Sequence, residues 1–270
     1  MKRREDFTDA WFHFMEQLEE AKKDLKFKKN EECFFRGHTH QKHKLIPGLF
    51  RKLDGNTKEI PDDLWEAEYS TFYEFRARAK EVHQGNLSDW DILFYMQHHG
   101  CKTRLLDWTE NFGVALYFAL LGQRDADFSP TIWMMNPYAL NEEYHDSRDL
   151  YSPEFLDIWD ENEEEYITYS DRLRADEALE FWWDEPLAIY PIRRVDRLTT
   201  QGGYFTIHGN NIKPIDNILA PNNNLLRKII LPNEAIKDAE DFLEMAGIND
   251  FTMFPDLDGL AQYLNRKYFN

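Results

Sequence analysis

Apolar residues recur at steps of three and four through Phe7, Trp11, Phe14, Met15, Leu18, Ala21 and Leu25, which predicts an amphipathic helix opening the chain. A second pattern, Trp65, Glu68, Phe72, Phe75, Ala79 and Val82, predicts another, with Pro61 and Asp62 placed to start it. Between them the short apolar run from Glu32 to Gly37 reads as a buried strand. Further along, Phe112 to Leu121 reads as a helix, and Thr131 to Met135, Leu187 to Ile192, Tyr204 to Ile207 and Lys228 to Leu231 read as strands. Two helices close the chain, Asn233 to Ala246 ended by Gly247, and Pro255 to Tyr268, so that 233–270 packs on the same domain. Helices and strands mix without regular alternation, which predicts an α+β fold with a mostly antiparallel sheet and flanking helices. No internal repeat and no glycine-rich phosphate loop is present.

Charge divides the chain more sharply than hydropathy does. The 270 residues carry 32 Lys and Arg against 50 Asp and Glu, a net charge of −18. From Asn141 to Glu185 there are 17 acidic residues and 3 basic ones (Arg148, Arg172 and Arg174), a local charge of −14 that leaves −4 for the rest. This stretch also holds Trp159, Phe181, Trp182 and Trp183, so 141–186 is predicted to be a helical acidic insertion, separable from the rest. It is either a solubilising face or a docking element for a protein partner. So acidic a chain is a poor general binder of duplex DNA or of anionic membrane surface. With 42% hydrophobic and 15% aromatic residues it has ample material for a core, and one domain over 1–270 is expected. Cys33 and Cys101 supply neither a disulfide framework nor a multi-cysteine zinc site. No signal peptide and no run of roughly 18 apolar residues stands out, and the reading is of a cytoplasmic protein without a membrane partner.

Two segments are too polar for their apolar surroundings. In Phe34-Phe35-Arg36-Gly37-His38 a guanidinium ends a hydrophobic strand, where it needs an acceptor. That acceptor is either a carboxylate such as Asp107 or a ligand phosphate or ribose, with Gly37 then allowing close approach to the backbone. The second segment, Gln97 to Asn111, gathers His98, His99, Arg104, Asp107, Thr109, Glu110 and Asn111 ahead of an apolar helix that Thr109 or Asn111 would cap. Such convergence of polar groups predicts a pocket, or more blandly a capping turn held by an Arg104–Asp107 pair.

These residues also carry a resemblance. Phe35-Arg36-Gly37, Leu45 to Arg51, Gln97-His98, Gly100, Thr103 to Thr109, Asn111, Ala115 to Ala119, Gln201 to His208 and Phe254 to Leu260 together resemble the FRG domain family, with 141–186 the part least covered. More loosely, an aromatic-Arg-Gly strand followed by a strand leading into an Asn-started apolar helix is similar to the arginine-type ADP-ribosyltransferase fold, a split arrangement of two small sheets with NAD in the cleft between them. That likeness implies Arg36, Gly37, His98, Arg104, Thr109, Asn111 and Tyr204 as nucleotide-binding residues, and Glu110, Asp107 and Gln201 as catalytic ones. It implies binding of NAD or a related nucleotide and cleavage at the nicotinamide ribose, in a setting such as a toxin or phage-defence effector. Gln201 stands where those transferases place a catalytic Glu, and an amide cannot supply the charge that stabilises a cationic transition state. Glu110 or Asp107 would have to replace it, or the domain is a non-catalytic nucleotide-sensing or protein-binding module. A metal-dependent hydrolase built on His38, His40, His43, His98 and His99 is the third reading.

Overall fold

The structure is a computed structural model that describes residues 7–53, 55–82, 87–122, 128–162, 164–174, 181–191, 202–219 and 224–269. Its helices are α1 (Asp9–Asp24), α2 (Asp62–Val82), α3 (Asp89–His98), α4 (Phe112–Leu120), α5 (Pro137–His145), α6 (Tyr169–Arg172), α7 (Ile215–Ile218), α8 (Ile236–Met245), α9 (Asp250–Met253) and α10 (Leu257–Phe269). The strands are β1 (Phe34–His38), β2 (Leu105–Thr109), β3 (Thr131–Met135), β4 (Ile158–Asp160), β5 (Glu165–Ile167), β6 (Leu187–Ile189), β7 (Gly203–Ile207) and β8 (Leu226–Ile230). This is the α+β architecture that the hydropathy pattern predicts.

Six strands form one antiparallel sheet in the order β6-β7-β2-β1-β3-β8. Its middle is its weakest seam. Whereas β1 pairs with β3 along five residues and β2 with β7 along five, β1 and β2 pair only at Phe35↔Thr109. Past that pair the sheet divides into two three-stranded halves.

Side-chain alternation gives the sheet two faces. On one, Ile132, Met134 and Ile229 pack under α1, α4 and α8, while Leu105, Phe205, Ile207, Leu187 and Ile189 pack under α2 and α3. The other face, with Phe34, Leu106, Trp108, Trp133 and Tyr204, packs against Tyr138 and Leu140 of α5. The helix ends are chemically specified. Thr8 caps α1 by accepting from the Trp11 amide (3.2 Å) and donates its hydroxyl to Asp238 at the start of α8 (2.5 Å). Ser88 and Asp91 form a capping box on α3. Gly247, at φ +70°, ends the last turn of α8 where the sequence expects it.

Asn111 caps α4, its side-chain oxygen accepting from the Gly113 and Val114 amides at 2.8 and 3.4 Å. Asn111→Ala is expected to cost about 1 kcal/mol, read as a lower urea midpoint. Asn111→Asp should keep the cap and the midpoint.

The acidic segment departs from the helical expectation. After the end of α5 it runs through a 3-10 turn (Pro153–Leu156), the β4–β5 hairpin and the single turn of α6. It is also not a detachable layer. Leu156, Tyr169, Leu173, Phe181 and Trp183 belong to the same buried cluster as Leu93, Leu187 and Phe205, and Asn141 bonds both the amide and the carbonyl of Ala188 in β6. Tyr169, Phe181 and Trp183 fill the core under α2 and α3, while Phe155, Trp159 and Tyr166 stay exposed. Among the described residues no helix is long and apolar enough to cross a membrane.

Candidate functional site

Where β1 and β2 part, a cleft of about 730 Å³ opens through the seam. From one sheet face it is lined by Phe35, Asp107, Thr109 and Phe205, with Phe94, Gln97 and His98 of α3 and Ala115 and Phe118 of α4 beside them. On the other side of the seam lie Arg36, His38 and Trp108 with the loop that follows β1, including Lys42, His43, Lys44 and Arg51. Its size is in the range of small-molecule sites, which are mostly apolar with a few placed polar groups.

Arg36 spans the gap left by the missing strand pairing. Its Nη1 donates to the carbonyl of Asp107 at 2.5 Å and lies 3.7 Å from the Asp107 carboxylate, and its Nε donates to His38 Nε2 at 3.0 Å. Of the two acceptors weighed from the sequence, Asp107 is the partner present; Arg36 also lines the cleft, where no hydrogen bond among the described residues uses its Nη2. Burial draws this guanidinium below its ordinary pKa. Asp107 opposes that fall, and nearby Arg51 adds to it. His38, with Trp133 Nε1 3.2 Å from its other ring nitrogen, is pushed down to about 2 by burial and by Arg36, and is uncharged.

Asp107 is the one carboxylate among the described lining residues. The described lining residues set Arg36, Lys42, Lys44 and Arg51 against it, so the described cleft wall is net cationic in a chain of net charge −18. Lys44 is engaged by Asp216 at 2.9 Å. Gln97 holds Asp107 in place, its amide donating to Oδ2 at 2.7 Å, while Thr103 donates to Gln97 Oε1 at 2.6 Å.

The sequence-derived site residues are therefore divided. Arg36, Gly37, His98, Asp107 and Thr109 line the cleft together. Arg104 does not: it is 1% exposed and bound by Glu68 through Nε–Oε1 (2.6 Å) and Nη2–Oε2 (2.7 Å), with Nη1 on the Gly209 carbonyl (2.8 Å). A buried guanidinium needs a carboxylate, and α2 supplies it rather than Asp107 or a ligand. Asn111 caps α4, and Tyr204 lies on the opposite sheet face against Phe34, donating to Glu110 at 3.2 Å, so neither they nor Glu110 are among the lining residues. Gln201 is outside the described residues. Gly37 reaches the cleft, yet its missing side chain serves packing: a Cβ there would sit 1.9 Å from the Ala115 carbonyl oxygen of α4. Of the histidines, His38, His40 and His43 cluster after β1, but among the described residues no group of three His, Cys, Asp or Glu is placed to hold a metal ion.

Sequence reasoning missed Lys42, Lys44 and Arg51, although a signal exists. From Cys33 to Leu53 the chain has no acidic residue and carries Arg36, Lys42, Lys44, Arg51 and Lys52, a basic stretch inside an acidic protein.

The fold around the cleft is α+β, its one large sheet parted at the β1–β2 seam. Residues 31–127 match the family model described as the FRG domain, so the chain carries an FRG domain over that stretch. The match supplies every described lining residue of the cleft except Phe205, Pro214 and Phe254. No curated protein and no solved structure matches the chain.

Proposed function

We propose that the cleft binds a phosphate-bearing nucleotide of the NAD type, and that the domain is ADP-ribosyltransferase-like, cleaving at the nicotinamide ribose. One observation carries the reading: a locally cationic, aromatic-lined cleft at the sheet seam of a strongly acidic chain, with Asp107 as the carboxylate among its described lining residues. Arg36 and Arg51 supply planar guanidinium groups suited to phosphate oxygens. Phe35, Phe94, Phe118 and Phe205 offer faces for a base.

In the cleavage, the bond between C1′ of the ribose and the nicotinamide nitrogen breaks, and nicotinamide leaves with the electron pair. The ribose takes on oxocarbenium character, and an acceptor nucleophile or water bonds C1′ and loses a proton. Asp107 is the carboxylate positioned to stabilise that positive charge, in preference to Glu110, which is engaged with Tyr204.

Arg36→Gln is expected to weaken ADP-ribose binding by about tenfold or more and to lower the melting temperature only modestly, since one strand-bridging hydrogen bond is lost. Calorimetric titration beside a thermal melt separates the two effects. Unchanged ADP-ribose affinity in a folded variant would remove Arg36 from the site. Nicotinamide release from NAD by the intact protein, abolished in Asp107→Asn, tests the catalytic half. Binding without release supports the non-catalytic, nucleotide-sensing alternative, which the Gln201 position of the sequence also favours.

A further inference from the structure

We infer that Asp107 is a ribose-reading group, set by a relay from Thr103 through Gln97, and that the cleft therefore selects ligands joining a diphosphate to a ribose with both hydroxyls free. This rests on the nucleotide reading above and specifies what the cleft recognises beyond phosphate.

The relay is directional. The Leu105 amide donates to Thr103 Oγ1 at 3.1 Å and the hydroxyl donates onward to Gln97 Oε1 at 2.6 Å, a direction consistent with the Asp107 carboxylate, which only accepts and so takes the Gln97 amide nitrogen. With its oxygen fixed as the acceptor, the Gln97 side chain presents its amide to Asp107 Oδ2 at 2.7 Å. Arg36 Nη1 stands 3.7 Å from that same oxygen. Both protein partners thus hold Oδ2, and no hydrogen bond among the described residues uses Oδ1, on a side chain that is 54% exposed and lines the cleft.

A carboxylate with one oxygen anchored and the other open, a few ångströms from a guanidinium, is a receptor for adjacent hydroxyls next to a phosphate group. Carboxylates read ribose hydroxyls in this way in dinucleotide sites. The same charge opposes a phosphate on the ribose it reads, the one on the nicotinamide side, so a ligand phosphorylated on that terminal ribose should be excluded. Gln97 and Thr103 are positioning residues: Gln97 touches the carboxylate and Thr103 only Gln97, yet together they fix which oxygen is left for the ligand.

Calorimetric titration of the full chain with inorganic pyrophosphate, ADP-ribose and ADP-ribose phosphorylated at the 2″-hydroxyl of its terminal ribose tests the inference. The wild-type protein should bind pyrophosphate, bind ADP-ribose about ten- to a hundredfold more tightly, and show no such gain for the 2″-phosphorylated compound. In Asp107→Asn the ADP-ribose advantage should disappear, while pyrophosphate, freed from the carboxylate's repulsion, binds at least as tightly as to the wild type. Gln97→Leu, or Thr103→Val should the first variant fail to fold, should reduce the advantage without touching pyrophosphate. A merely structural relay would lower the melting temperature and leave the ratio between the two ligands unchanged. Pyrophosphate binding with no ADP-ribose advantage, or an advantage that survives Asp107→Asn, overturns the ribose assignment and leaves the phosphate site standing. Failure of all three compounds to bind overturns both.

Discussion

Glu68→Ala is expected to destabilise the protein by about 3–5 kcal/mol, enough to leave much of it unfolded at physiological temperature. The substitution strands the Arg104 guanidinium, 1% exposed, without either of its two carboxylate contacts and with uncharged oxygens, the Gly209 carbonyl and the Tyr169 hydroxyl, left beside it. It also takes away the acceptor of the Tyr169 hydroxyl, 2.8 Å from Glu68 Oε1. Three parts of the chain meet at this pair: α2 brings Glu68, the residue before β2 is Arg104, and the acidic segment brings Tyr169 and Phe181, whose ring lies 4.6 Å from the guanidinium carbon. The acidic segment is thereby tied to the sheet through a charge as well as through packing. Urea unfolding followed by tryptophan fluorescence measures the loss. Glu68→Gln should be intermediate, because the shape survives while the buried charge goes unpaired. Replacing both partners with methionine should recover most of the stability, since an apolar pair of similar volume has no desolvation cost. A Glu68→Ala midpoint within error of the wild type would mean that Arg104 finds water or another acceptor, and that the pair holds nothing together.

The same pair explains what the chain made legible and what it did not. The amphipathic helices α1, α2 and α8 could be read because one face of each is buried and the period survives in the sequence, and the strands β1, β3 and β7 because each is a short run rich in apolar and aromatic residues. Helix α3 could not be read by period. Trp90, Ile92, Leu93, Phe94 and Met96 are buried on nearly every side, and only the Ser88–Asp91 capping pair marks its start. The acidic segment misled in the opposite direction: its aromatic residues imitate a helical face, but Trp159 and Tyr166 meet edge to face across a hairpin and Phe181 and Trp183 enter the core from irregular chain. At the site, Arg36 and Arg104 look alike from their local sequence, each at the border of an apolar strand. Only the tertiary arrangement, with Glu68 under one and the open seam beside the other, makes the first a cleft residue and the second a core residue. Local sequence reports that a charge must be answered. It does not report by what.

Gly37→Ala should be nearly as damaging as Glu68→Ala, at about 3 kcal/mol or more, above the usual cost of overpacking because nothing flexible stands in the way. A Cβ at this position falls 1.9 Å from the Ala115 carbonyl oxygen and 2.6 Å from the Ala119 amide nitrogen, both backbone atoms of α4. Relief requires α4 to move away from β1 as a body. That motion opens the cluster in which Val114, Leu116 and Ala119 meet Phe14 and Ile132, and it shifts Ala115 and Phe118 out of the cleft wall. Stability and ligand affinity should therefore fall together, in contrast to Arg36→Gln, where affinity falls far more than stability. Gly48→Ala is the control from the same basic stretch: its added Cβ would come no nearer than 3.7 Å to the Lys102 backbone, ordinary contact, so its melting temperature should match the wild type. If Gly37→Ala instead melts like the wild type and has lost only ADP-ribose binding, then α4 is not seated against β1 as described. The absent side chain would in that case serve the ligand's approach to the backbone, the role the sequence alone had offered for it.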